Sequence, residues 1–137
     1  MRQKACFIEC VSNSDSFRDL KVWQRSMRLV EEVFRVTRSF PADERFGLTA
    51  QIRRASVSVP SNIGEGKRRK SQRAFVYHLD VALGSQGEVE VQLEIARRIG
   101  LLAEEDYQSL QKHAEEVGKM LNGLIASLER DAPRSDR

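Results

Sequence analysis

From Ser16 onward, apolar residues recur every three or four positions, the spacing of helices that each bury one side. The first such stripe is Leu20, Trp23, Met27, Val30, Phe34 and Thr37, with Ser16 placed to cap it and Asp19 in its first turn. Val22, Leu29, Val33 and Val36 form a second apolar strip beside it, which a helix buried on one side does not need. Phe40-Pro41 closes this helix, because a residue before proline avoids helical angles. Asp43 is the expected cap of a second helix with the stripe Leu48, Ile52, Ala55, Val59 and Ile63. Pro60 falls inside it and predicts a kink near Ser56, with Ser56 or Ser58 satisfying a freed backbone group.

Ser71 then caps a third helix with the cleanest period in the chain: Phe75, Leu79, Ala82, Gln86, Val89, Leu93 and Ala96. Gly84 and Gly87 lie in its middle, each costing about 1 kcal/mol relative to alanine, which predicts close approach of another helix. Gly100 ends it, and a fourth helix from about Ala103 carries Tyr107, Leu110, Ala114, Val117, Leu121, Leu124 and Leu128. No segment alternates with period two for long enough to make a strand. The expected fold is all-α, an antiparallel up-down four-helix bundle over residues 16–131. A flexible N-terminal tail over 1–15, free to dock on a neighbour, and a frayed C-terminal tail over 132–137 flank it.

With 137 residues the chain has material for one core. Its 40% hydrophobic and 31% charged residues exclude collagen-like and low-complexity classes. No apolar run approaches ~18 residues, so no membrane span is expected, and the short apolar patch before residue 12 does not read as a secretory signal. The expected location is cytoplasmic. Cys6 and Cys10 are too few for a disulfide scaffold or a four-ligand zinc site.

Charge is distributed unevenly. Residues 1–73 carry 16 Lys+Arg against 8 Asp+Glu, and residues 74–137 carry 7 against 12. The halves are therefore +8 and −5, which suits either a polyanion-binding face or two surfaces that meet within or between copies.

The basic run Lys67, Arg68, Arg69, Lys70, with Arg73 one turn on, is the candidate nucleic-acid-binding site, and Arg53 and Arg54 would extend it. The competing reading is a solvated loop, or cations paired with Glu88, Glu90 and Glu94 of a neighbour. Ser58, Pro60, Asn62, Glu65 and Gly66 cluster polar groups at the helix irregularity, where they could bind a ligand. The structural alternative has Ser58 and Asn62 repairing bonds broken by Pro60, and Glu65 holding Arg53 or Arg54.

Arg73 and His78 resemble the short motif of the helical HEPN ribonucleases, in which histidine moves a proton and arginine holds a phosphate. His78 lies beside the buried face, however. A carboxylate-bridged metal site needs Glu-x-x-His, and Phe75 and Leu110 occupy the positions three before His78 and His113. Trp23 could stack bases, but an aromatic at helical spacing fits the core or a subunit interface better.

Phe17-x-x-Leu20-x-x-Trp23-Gln24, Phe40-Pro41-x-x-Glu44-x-x-Gly47-Leu48, Gln51-Ile52-Arg53-Arg54-Ala55 and Ser58-Val59-Pro60-Ser61-Asn62-Ile63-x-Glu65-Gly66 occur in that order. Gly84-Ser85 and Glu88-x-Glu90-x-Gln92-Leu93 follow. Together, over about Phe17 to Leu128, they resemble the four-helix-bundle family named for proteins encoded in intervening sequences of bacterial 23S ribosomal RNA genes. A related branch is the accessory protein of diversity-generating retroelements, which assists a reverse transcriptase.

The resemblance implies a ring of five bundles and a role with nucleic acid, and it marks Ser58, Pro60, Asn62, Glu65, Gly66, Gly84 and Ser85 as motif residues. This chain departs from the pattern at Gly64, where alanine is more usual, and at Gln86, where an apolar residue is. The expected protein is a non-enzymatic homo-oligomer, a pentamer by resemblance, that docks RNA or a ribonucleoprotein through a repeated basic surface. A reverse transcriptase would be the partner in the retroelement branch, and no cofactor is expected. The alternatives are a protein-binding scaffold and a ribonuclease using Arg73 and His78.

Overall fold

A computed structural model describes residues 16–44 and 47–132. The tails expected at 1–15 and 132–137 lie, apart from Ala132, outside the described residues, which hold four α-helices and no strand. These are α1 (Lys21–Thr37), α2 (Leu48–Arg68), α3 (Gln72–Arg98) and α4 (Glu104–Asp131). Each helix packs on the next, and α4 packs back on α1, so the four enclose one core. Among the described residues no helix is long and apolar enough to cross a membrane.

The chain enters through a 3₁₀ turn, Phe17–Asp19, capped by the Ser16 hydroxyl accepting from the Arg18 N–H at 3.2 Å. Ser16 therefore caps this turn and not α1, which starts after Leu20 with no side-chain cap. The two apolar strips of α1 are also exchanged relative to the sequence reading. Val22, Leu29, Val33 and Val36 are the buried face, whereas Trp23, Met27, Val30 and Phe34 are only half-buried. The strips lie one residue apart, about 100° around the helix, so periodicity fits either. Compact branched side chains occupy the crowded centre and the larger ones the rim.

Two short polar side chains on α1 enter the core fully bonded. Ser26 donates to the Trp23 carbonyl at 2.7 Å and Thr37 to the Val33 carbonyl at 2.7 Å. The basic and acidic halves meet partly inside the molecule, through Arg25–Glu116 at 2.7 Å and Arg35–Asp106 at 3.3 Å between α1 and α4.

Asp43 does not cap α2. It lies in a second 3₁₀ turn, Ala42–Glu44, and the N-cap is Gly47. The nearest side-chain acceptor is Glu44, whose Oε2 takes the Leu48 N–H at 3.4 Å. Ile52, Ala55, Val59 and Ile63 are buried as their spacing predicts, and α2 runs through a buried Pro60. On α3, Ser71 caps as expected, accepting from the Ala74 N–H at 2.9 Å. At its other end Gly100 adopts φ +83, and the Leu101 N–H returns to the Ala96 carbonyl at 2.9 Å while the Gly100 N–H reaches Arg97. That pair of bonds is the Schellman closure.

The mid-helix glycines of α3 do not mark a close approach within the chain: a Cβ at Gly84 or Gly87 would meet nothing within 4 Å. The tight contacts are elsewhere. A Cβ at Gly66 would stand 2.7 Å from His78 Cβ and 3.1 Å from a Phe75 ring carbon, and one at Gly118 3.0 Å from the Gln86 amide. Gly118 thus makes room for Gln86, the polar departure in the α3 stripe. Gln86 is buried and donates to the Ala114 carbonyl at 2.7 Å and to Glu90 at 2.6 Å.

Two alanine substitutions separate these environments. Gly84→Ala should raise stability by about 0.5–1 kcal/mol, because helix propensity improves in open space. Gly66→Ala should lower it by about 1–3 kcal/mol through overpacking. Urea titration of both variants checks the signs, and the reverse order would contradict the packing described.

Candidate nucleic-acid interface

The end of α2 and the start of α3 are joined by only three residues, 69–71. Lys67, Arg68, Arg69, Lys70 and Arg73 are consequently gathered at one end of the bundle. Lys67 and Arg68 stand in the last turn of α2, where the carbonyl end of a helix favours cations. Lys67 Nζ lies 5.8 Å from the centre of the Phe75 ring, and the Arg68 guanidinium 5.5 Å from that of Phe17. These contacts leave the charges available to an anion. Arg69 is ion-paired with Glu65 at 2.7 Å. Lys70 and Arg73 are exposed and have no ion pair among the described residues.

Arg53 and Arg54 do not join this cluster. They lie fourteen and more residues before Arg68, about 21 Å along the helix axis. Arg53 is half-buried against α1, donating from Nε to Thr37 Oγ1 at 2.8 Å with its guanidinium 4.6 Å from the Phe34 ring centre. Arg54 is exposed at a separate polar cleft of about 270 Å³ that includes Ser58, Ser85, Glu88 and Gln92.

The motif residues form a chain of polar contacts that ties α2 to α3. Ser85 and Ser58 hydroxyls share a hydrogen bond at 2.8 Å, and Asn62 Nδ2 donates to the Ser58 carbonyl at 2.9 Å and hydroxyl at 3.0 Å. With its amide nitrogen so used, Asn62 presents Oδ1 to His78 Nδ1 at 3.2 Å, so Nδ1 carries the proton. His78 Nε2 then faces Glu65 at 3.9 Å, and Glu65 holds Arg69. Glu65 therefore pairs with Arg69 and not with Arg53 or Arg54. The four-residue Glu–Arg spacing on one helix face was the signal for it.

The bond from Arg69, assisted by the His78 ring, holds the Glu65 carboxyl below its ordinary value. His78 is 12% exposed, with one ring nitrogen bonded and the other turned to Glu65, while Arg73 points to solvent. Among the described residues no three His, Cys, Asp or Glu side chains converge as metal ligands.

Two of the three glutamates proposed as partners for a neighbour's cations are engaged within the chain. Glu90 accepts from Gln86 and, at 3.4 Å, from Gln111. Glu94 accepts from Arg97 at 2.9 Å and from Arg98 at 3.0 Å. Hydrogen bonds from Arg97 and Tyr107 outweigh desolvation and hold the Glu94 carboxyl at about 2. A carboxylate depressed in the folded state stabilises above its unfolded pKa near 4.5, and that contribution disappears as pH falls toward 2. Glu94→Gln should therefore lower the melting temperature at pH 7, and the difference from the parent chain should shrink steadily between pH 4.5 and 2.5. A difference independent of pH would show that the ion pair contributes nothing.

The model of the family described as 23S rRNA-intervening sequence protein matches residues 18–123. No curated protein matches the chain. Among solved structures, the chain is similar to a crystal structure described as a protein with unknown function from the S23 ribosomal protein family of Bacteroides thetaiotaomicron. The two are 25% identical with a TM-score of 0.72, and the match covers 77% of this chain and 95% of the other. The family match begins in the 3₁₀ turn before α1 and ends within α4, so it takes in α1, α2 and α3 entire, the motif chain and the basic turn. By sequence and by fold, this protein belongs to the 23S rRNA-intervening sequence protein family.

Proposed function

We propose that this chain is a non-enzymatic cytoplasmic oligomer that docks RNA, bare or within a ribonucleoprotein, through the basic turn between α2 and α3. The observation that carries the reading is the gathering of Lys67, Arg68, Arg69, Lys70 and Arg73 over one short connection, with only Arg69 in an ion pair among the described residues. Each exposed cation that meets a phosphate releases condensed counterions, so affinity accrues from charge without base contacts. The site narrows from the seven cations expected to these five, because Arg53 is occupied by Thr37 and Phe34 and Arg54 lies apart. The family's name, 23S rRNA-intervening sequence protein, supports the same partner class.

Oligomerisation is supported by the outward face of α3. Tyr77, Val81, Val91, Ile95 and Ile99 are exposed there, Tyr77 by 65% and Val91 by 60%. Exposed Asp80 and Glu88 flank the strip, and the basic first half of the chain supplies the complementary charge for a second copy. Five copies in a ring, the assembly that the family resemblance implies, would repeat the basic turn and multiply weak contacts into avidity. In the retroelement branch the ring would meet a reverse transcriptase. The same apolar strip favours the second reading, a scaffold that binds protein and no nucleic acid. A ribonuclease role for His78 has less support, because Asn62 and Glu65 hold its ring.

Fluorescence anisotropy with a structured RNA across a salt series tests the proposal. The logarithm of affinity should fall linearly with the logarithm of salt, by about 0.9 per phosphate contact for a duplex. Lys70→Glu with Arg73→Glu should weaken binding at least tenfold and flatten that slope. Arg54→Glu should leave both nearly unchanged, and the RNA should be recovered intact. No binding at low salt would remove the nucleic-acid reading. Light scattering that gave a 15.7 kDa particle at micromolar concentration would remove the oligomer.

A further inference from the structure

The polar cleft between α2 and α3 takes no part in the RNA interface, and its side chains carry bonding capacity that the packing leaves unused. Buried Ala55, Ser85 and Gln92 form its floor, and exposed Gln51, Arg54 and Glu88 its rim. Ser58 completes the floor through its 2.8 Å hydroxyl bond to Ser85. All of these residues lie within the motif segments by which the chain resembles its family, yet only Ala55 belongs to the apolar core.

Three features of the cleft call for a ligand. First, Gln92 is only 8% exposed, and its Oε1 is buried with no hydrogen-bond donor. A buried acceptor left unpaired is unfavourable, and an N–H entering the cleft would supply the missing bond. Second, Arg54 on α2 and Glu88 on α3 line the same cleft without pairing with each other or with any other described residue. Two opposite charges are therefore held apart across a polar floor. Third, the Ser58–Ser85 bond uses one of two hydroxyl protons, and Ser58 Oγ already accepts from Asn62 Nδ2. Among the described residues, the pair keeps one proton for an acceptor.

The two sides of the cleft differ in what they offer. From α3, Glu88 and Gln92 Oε1 are acceptors one helical turn apart. From α2, the Arg54 guanidinium is a fork of donors, with the Gln51 amide one turn before it. Their net charge of zero disfavours a polyanion and suits a molecule carrying both signs. The cleft holds about 270 Å³. That is just below the ~300–1,000 Å³ of sites for drug-sized ligands, so its occupant is no larger than a free amino acid.

We propose that this cleft binds a small zwitterion, a free α-amino acid or a close analogue. Its carboxylate meets the Arg54 guanidinium and the Gln51 amide, and its ammonium meets Glu88 and Gln92 Oε1. A carboxylate has about four lone-pair sites, so Glu88 can hold the ammonium and still present charge to a second copy. The site uses none of the five cations of the RNA interface, and either assignment can fail without the other.

Calorimetric titration of the full chain with the proteinogenic L-amino acids, first as a mixture and then singly, tests the site. At least one should bind saturably, a single molecule to each chain, and raise the melting temperature. The corresponding amine without its carboxylate, and the N-acetylated acid without its ammonium, should each bind about tenfold more weakly or worse. Arg54→Gln, Glu88→Gln and Gln92→Met should each weaken the zwitterion by a similar factor, with the far-ultraviolet circular dichroism and the salt slope of RNA binding unchanged. No saturable heat with any amino acid would overturn the proposal, as would an affinity indifferent to all three substitutions. An affinity that falls as the chains associate would show that a second copy fills the cleft, and would overturn it too.

Discussion

Helices α2 and α3 approach so closely at Gly66 that a Cβ there would stand 2.7 Å from that of His78, and the arrangement of the candidate interface follows from this contact. Missing its side chain, Gly66 lets the first turns of α3 settle against the last turns of α2. The Ser58–Ser85 hydroxyl pair and the Asn62–His78 bond hold the same seam further along. Small residues and hydroxyls allow proximity that larger apolar side chains would prevent, and every polar group in the chain of contacts meets another. With the helices this close, three residues suffice to connect them, and five cations are forced into one short stretch. Their mutual repulsion is eased by Glu65, by the rings of Phe17 and Phe75 and by solvent.

What favours a binding surface over ordinary solvation is the crowding of five cations at one end of the bundle, with a single ion pair among them. Elsewhere several cations are used internally: Arg25 and Arg35 join α1 to α4, Arg53 seals α1 to α2, and Arg97 and Arg98 hold Glu94. The excess of positive charge in the first half of the sequence is thus partly structural. Of the remainder, the densest group is at the turn between α2 and α3, while Lys21, Arg28, Arg38 and Arg54 are exposed singly.

Much of this was legible in the sequence, and the failures have physical causes. The stripes of α2 and α3 are regular, so most of their buried residues were identified, including the polar Gln86, although Leu48 and Phe75 at the helix starts are only half-buried. On α1 both strips are apolar, and periodicity cannot say which faces inward. Glycine is similarly ambiguous, because an absent Cβ marks a close approach at Gly66 and Gly118 but only open surface at Gly84 and Gly87. Asp43 satisfied the composition rule for a cap, yet a 3₁₀ turn separates it from α2. The basic run was plain in the sequence, but only the fold reveals that Arg53 turns toward Phe34 and Thr37. The link from Asn62 through His78 to Glu65 spans two helices and leaves no trace in local spacing.

The central claim is that the turn between α2 and α3 is where RNA meets this protein. Hydrogen exchange of the full chain with and without a structured RNA reads that surface directly, because amides of residues 69–75 lie in a solvent-facing turn and the first turn of a helix, where exchange is fast. The account predicts that RNA slows exchange over this stretch, that the effect fades as salt is raised, and that the outer face of α3 from Tyr77 to Ile99 does not respond. Slowing confined to that apolar face, with residues 69–75 unaffected, would contradict it.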